Sequence, residues 1–237
     1  LKSVGEDRIG ASAQLALANS HVHLALGQGG QAAHWTRTAE GIAHSSVELD
    51  ESVEADILVL KATMALDGVV QMGKDAARAS ELHPPDSPWQ TPCYLYRGIS
   101  SHLMGHPDQA LPLLGEGARR GAVESPVIQA LCLAQLVLIA IWEGNWENAS
   151  LNVAHAREQM NRCGLAEYPV MAIVHAASAL VRSHHGQVER AQEDVASASQ
   201  LLALLTDFPP WHEVETRIMI AMACIRLDDP PGARLLL

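Results

Sequence analysis

The chain has 237 residues, 48% of them apolar and 18% charged, with a single Phe, so its bulk comes from Ala and Leu and a soluble all-α protein is expected. Its 27 Asp and Glu against 16 Lys and Arg give a formal net charge of −11, which repels a phosphate backbone and argues against direct nucleic-acid contact. The longest apolar run, ALCLAQLVLIAIW over 130–142, is 13 residues and contains Gln135, short of the ~20 residues that cross a bilayer. The opening LKSVGEDRIG is too polar for a secretory signal, so a cytoplasmic protein without membrane contact is expected.

In chain order, the first helix is predicted over IGASAQLALANSHVHLAL, which ends at GQGGQAAHWTRTA from Gly27. ESVEADILVLKATMAL follows and ends at DGVVQMGKDAARA from Asp67. The third unit ends its first helix at GHPDQALPLLGEG from Gly105. PVIQALCLAQLVLIAIWE leads to GNWENASLNVAHA from Gly144, and PVMAIVHAASALVRSHH leads to GQVERAQEDVASA from Gly186. DDPPGARLLL from Asp228 begins a sixth copy. The anchors are 40, 38, 39, 42 and 42 residues apart.

Each stretch before an anchor carries apolar residues at i, i+3 and i+4, the helical period. Gly supplies the positive φ that stops a helix, and Asp serves a related turn. Five residues after the first five anchors stand Ala32, Met72, Ala110, Ala149 and Ala191, and seven further on Ala39, Ala79, Gly117, Ala156 and Ala198. Small residues seven apart keep one face of a second helix narrow enough to press on the first. Each unit is therefore a helical hairpin, and a hairpin buries its apolar face only by stacking on neighbours. Pro-rich punctuation at HPPDSPW (83–89), VESP (123–126), CGLAEYP (163–169) and TDFPPW (206–211) separates the units. The expected units are roughly 8–46, 52–84, 88–121, 124–163, 166–206 and 210–237, forming one domain with an uninterrupted core.

Two strings imitate phosphate-binding motifs. GVVQMGKD, from Gly68 to Asp75, puts a carboxylate where a phosphate-binding loop needs a hydroxyl, and it follows a predicted helix instead of a strand. GQGGQA, from Gly27 to Ala32, matches a dinucleotide fingerprint but coincides with the repeat's own turn. Cys93, Cys132, Cys163 and Cys224 form no CxxC pair and are expected to be reduced, mostly buried thiols. Of the twelve histidines, His102 and His106 have chelating spacing, but Gly105 and Pro107 are expected to break the helix between them. No catalytic motif stands out, and neither an enzyme nor a metal site is expected.

The order helix, Gly, four residues, Ala, six residues, Ala resembles the second half of the tetratricopeptide (TPR) repeat, and Gly98 falls at that repeat's small first-helix position. The period here exceeds the usual ~34. With SPWQTPCYLYRGISSHLMGHPDQAL, the stretch from Glu143 to Ala191, and LTDFPPWHEVETRIMIAMACIRLDDPPGARLLL, the chain resembles the TPR-like sensor region of large ATP-dependent LuxR-type transcriptional regulators, the maltose-regulon-activator-like group. The resemblance implies a right-handed TPR-like superhelix of about six hairpins that senses a signal and contacts a protein partner or other domains of the same regulator. It places ATP in a separate upstream domain, with no cofactor in this segment. Leu1 in place of Met, and a chain that stops at Leu237 inside its sixth unit, give the expectation of a middle region whose ATPase and DNA-binding flanks lie outside it.

In TPR arrays the first helices line the concave face. The usual lining offsets, 3, 6 and 10 residues before the anchor, select His102, Ile99 and Leu95 in the third unit and Ile141, Leu138 and Ala134 in the fourth. They select Ser183, Leu180 and Ala176 in the fifth. No basic clamp for a carboxylate tail appears there, so an apolar effector or a partner helix is favoured. Tyr94, Tyr96, Arg97, Trp142, Arg182, Trp211 and Glu215 are candidates for orienting a small molecule. The alternatives are that these first-helix positions are core, that the Trp residues pack between units and that the Arg residues face water. A stand-alone TPR adaptor with no transcriptional role remains the competing reading.

Overall fold

A computed structural model of the chain describes residues 12–45 and 50–236. The expected start of the first unit, 8–11, and positions 46 and 237 lie outside the described residues. Twelve α-helices are described: α1 (Ala13–Ala25), α2 (Gly29–Ser45), α3 (Glu51–Met64), α4 (Val69–Leu82), α5 (Gln90–Leu103), α6 (Pro107–Glu124), α7 (Pro126–Trp142), α8 (Trp146–Arg162), α9 (Ala172–His184), α10 (Val188–Leu202), α11 (Pro210–Arg226) and α12 (Pro230–Arg234). A single 3-10 turn, Pro169–Met171, leads into α9. Among the described residues there is no strand, and no helix is long and apolar enough to cross a membrane.

The anchors do what the pattern requires. Gly27, Gly105, Gly144, Gly186 and Asp228 all have positive φ, each ending one helix of a pair. The second anchor differs in detail: Asp67 sits between Ala65 (φ 47°) and Gly68 (φ 85°), making a wider turn. Helix starts are held by side chains and by Pro. Asp50 accepts from the Ser52 amide (2.9 Å) and Asn145 from the Asn148 amide (3.0 Å), while Pro opens α6, α7, α11 and α12.

The helices pack in consecutive pairs, and each odd-numbered helix also packs on the next odd-numbered one, most extensively α9 on α11. The repeated small residues are all buried: Ala32, Ala110, Ala149, Ala191, Ala39, Ala79, Ala156 and Ala198 have no exposed surface. They serve two contacts, not one. A Cβ on Gly98 of α5 would lie 2.6 Å from Leu114 of α6, within the hairpin, and a Cβ on Gly117 of α6 would lie 3.3 Å from the Cβ of Tyr94 on α5, its own first helix, and 2.7 Å from Cys132 of α7, in the next hairpin. Gly therefore lets α5, α6 and α7 approach closely.

The apolar core is divided, in contrast to the uninterrupted one expected. A smaller cluster joins α1 and α2 to Val53, Ile57, Leu60 and Met64 of α3, and the larger one takes Val59 and Ala62 from other faces of α3 and runs to α12. The second unexpected feature is a set of contacts between distant units. The amide of Thr206 donates to Gly27 O and that of Gly29 to Thr206 O, both at 2.8 Å, forming a parallel bridge between Gln28 and Thr206. The indole N–H of Trp211 donates to Thr63 O at 3.0 Å. The first and second hairpins thus touch segments at the entry to the sixth, where a simple stack brings together neighbours alone.

Candidate binding cleft

A cleft of about 500 Å³ opens where the connections between units feed into the first helices. The last turns of α1 supply His21, Leu24 and Ala25, and α3 supplies Val59 and Thr63. Pro88, Trp89, Pro92 and Tyr96 come from the start of α5; Glu124 ends α6, and Ser125, Val127, Ile128 and Leu131 follow at the start of α7. Tyr168 and Val170 precede α9, and Phe208 precedes α11. All six hairpins or their entry segments contribute.

The connections carry the site for a definite reason. SPW (87–89), SPV (125–127), YPV (168–170) and FPP (208–210) each place a Pro just before or at the start of a helix. The residue before Pro is held away from helical geometry, and Ser125 and Tyr168 are indeed extended. Flanking residues of all four segments line the cleft.

The lining is chiefly aliphatic and aromatic, with a few polar groups at fixed points. Thr91 donates to the Glu124 carboxylate. His21 lies with its ring centroid 5.1 Å from that of Trp89, and burial lowers its pKa, favouring the neutral imidazole. Burial also pushes the Tyr96 hydroxyl up to about 12, so it remains a neutral hydroxyl. A volume and chemistry of this kind suit a small apolar molecule or the apolar face of a helix.

Among the expected site residues, Tyr96 lines this cleft. Leu95 and Ile99 are fully buried in the core, one and three positions along α5; a step of one residue turns a helix by about 100°, enough to pass from cleft to core. On α7 the expected Ala134, Leu138 and Ile141 continue the row begun by Leu131, but they too belong to the buried core. Leu180 and Ala176 of α9 are likewise buried, and Ser183 is half-buried. Tyr94 is half-buried with Arg120 5.5 Å over its ring, and Arg97 is half-buried on α5. Trp142, by contrast, ends α7 at 63% exposed. Trp211 is buried behind Tyr96, their rings 6.5 Å apart and T-shaped.

Two polar clusters gather the rest. Gln135 Nε2 of α7 donates to Glu215 of α11 at 2.5 Å, both side chains buried, and the amide oxygen of Gln135 has no hydrogen-bond partner among the described residues. Burial lowers the pKa of the nearby His102, against the pull of Gln135. Arg182 of α9 pairs with the buried Asp194 of α10. His102 ends α5 while His106 precedes α6, with the positive-φ Gly105 between them. Three cysteines are buried and Cys163 is exposed, all of them free. Neither phosphate-motif imitation follows a strand: Asp75 is buried on α4 and accepts from Gln71, and Gly29 begins α2. No family model and no curated protein matches the chain.

Sequence reasoning passed over most of the lining, Trp89, Val127, Tyr168 and Phe208 among it. The signal of these four was present as an aromatic or apolar residue beside Pro at four successive unit boundaries, where it reads as punctuation.

Proposed function

We propose that this chain is the signal-sensing and protein-interaction region of a LuxR-type bacterial transcriptional regulator acting in the cytoplasm. In this reading its hairpins form a right-handed TPR-like superhelix, the cleft takes an apolar effector or partner helix, and occupancy is passed to ATP-binding and DNA-binding domains of the same protein. The observation that carries the reading is that one apolar cleft draws on the first four hairpins and on the segments that enter the fifth and sixth. A ligand there touches α1 on one side and Phe208 on the other, the two segments that pair through Gly27 and Thr206. It can therefore favour one arrangement of the array, provided it binds the two arrangements unequally.

The test uses Nile red, a neutral dye whose emission shifts to the blue in apolar surroundings. The protein is expected to bind it, and Ile128→Arg, which puts a charge into the half-buried wall, is expected to weaken binding by about tenfold or more while the helical circular dichroism is kept. Absence of dye binding, or equal binding by the variant, overturns the cleft. The transcriptional part of the reading is tested separately: a gene encoding neither an ATPase nor a helix-turn-helix beside this region would leave the stand-alone adaptor.

A further inference from the structure

A second cleft, of about 450 Å³, lies between α8 and α9 and shares no lining residue with the apolar one. In a chain with a formal charge of −11, it collects two guanidinium groups, Arg157 and Arg182. Their counter-charge is Asp194 of α10, 3% exposed, which takes Arg157 Nη1 on Oδ1 at 2.7 Å and Arg182 Nη1 on Oδ2 at 2.8 Å. One carboxylate against two guanidiniums leaves an excess positive charge in a half-buried place. Burial would raise Asp194, but the neighbouring His175 and Ser178 and the two arginines outweigh it and hold the carboxyl below its ordinary value. Burial and the like charges of Arg157 and Arg190 in turn hold Arg182 below its own, against the pull of Asp194.

Arg157 ties α8 and Arg182 ties α9 to the one carboxylate on α10, which neutralises only one of the two cations. The geometry also leaves donors unused. Each guanidinium has five N–H groups, and the bonds to Asp194, Ser178 (3.3 Å) and Arg190 O (3.4 Å) all use Nη1. Among the described residues, Nε and Nη2 of both arginines have no hydrogen-bond partner, and these form the fork that grips an oxyanion through two parallel bonds. Asp194 fixes both forks in advance, so little freedom is lost on binding. At the rim, Ser150 Oγ and His185 Nε2 share a hydrogen bond of 2.9 Å, and Val153 and Val181 give the cleft an apolar wall.

We propose that the cleft between α8 and α9 binds a small organic anion, its carboxylate or phosphate group held by the free edges of Arg157 and Arg182.

The probes are inorganic phosphate, glycerol 3-phosphate and lactate, added to the whole chain at constant ionic strength and followed by calorimetry and by the NMR signals of the arginine side chains. At least one is expected to bind and to shift Arg157 and Arg182 together; the phosphate and carboxylate arms identify which group is preferred. Arg182→Gln is expected to weaken binding by about tenfold or more. Because that change leaves Asp194 with one partner fewer, R182Q combined with D194N, which keeps the net charge, is the second variant and is expected to lose binding equally. No response to any probe, a response matched by sodium chloride, or undiminished binding by the double variant overturns the proposal. Nile red binding should be unchanged in both variants, so failure here is separable from failure of the apolar cleft.

Discussion

Glu215 lies on α11 with its carboxylate against the amide of Gln135, and burial, only partly opposed by that hydrogen bond, pushes it from 4.5 up to about 7. Between those values the folded chain keeps a proton that the unfolded chain has released, so this group's contribution to stability falls as pH rises and is lost above about 7. His212 works the other way. Its imidazole is buried against Val170 O at 2.8 Å, and burial takes it from 6.5 to about 4, so stability rises with pH between those values. The two oppose one another between 4.5 and 6.5. Glu215→Gln isolates the carboxylate, since every histidine contributes to both proteins. In urea titrations the variant is expected to match the parent near pH 4 and to exceed it by roughly 3 kcal/mol at pH 8. A difference that is constant with pH would show that Glu215 is not held neutral. In the sequence, Glu215 is one polar residue among Glu213, Thr216 and Arg217 in the first half of α11, and its partner, 80 residues away on α7, is beyond the reach of any local pattern.

Packing of one helix on the next depends on where a side chain is missing. A Cβ on Gly121 of α6 would lie 2.7 Å from the backbone N of Gln129 and 2.9 Å from its Cα, atoms that cannot swing aside. Gly121→Ala is expected to cost about 1–3 kcal/mol, whereas Gly115→Ala in the same helix, where a Cβ meets nothing within 4 Å, is expected to gain about 0.5–1 kcal/mol. Thermal unfolding of the pair checks both signs; a loss in each would mean that the close approach is not the cause. Gly117 could be anticipated because a small residue recurs at its offset from the anchor, and Gly98 because it falls at the small first-helix position of the TPR repeat that the chain resembles. Gly121 could not, because its counterparts sixteen residues after the other Gly anchors are Ala43, Met160 and Leu202. It is required by the single-residue connection, Ser125, that brings α6 and α7 together at this one boundary. Helix ends were legible for the complementary reason: positive φ and Pro act within a few residues, and so does the sequence pattern that encodes them.

Periodicity reports which neighbours stack and carries no information about which distant units meet. Gly29 shows the difference. In the sequence it belongs to a repeat turn that imitates a dinucleotide fingerprint, but in the molecule a Cβ there would lie 2.0 Å from Asp207 O and 2.8 Å from the Cα of Phe208, while its amide donates to Thr206 O. Ala favours helix over Gly, so within α2 alone Gly29→Ala would be neutral or stabilising. Any loss must come from pushing the Gly27–Gly30 turn away from Thr206–Phe208. The expected loss is about 1–3 kcal/mol, accompanied by faster amide exchange at Gly29 and Thr206 and a change in Trp211 fluorescence as its bond to Thr63 is disturbed. Gly41→Ala, in the same helix with open space around it, is the control and should retain protection at both amides. Because Phe208 borders both this seam and the apolar cleft, Nile red should bind more weakly to the Gly29 variant than to the control. If exchange at Thr206 stays slow and dye binding is unaltered, the distant units do not hold one another, and an occupant of the cleft would have no seam to act on.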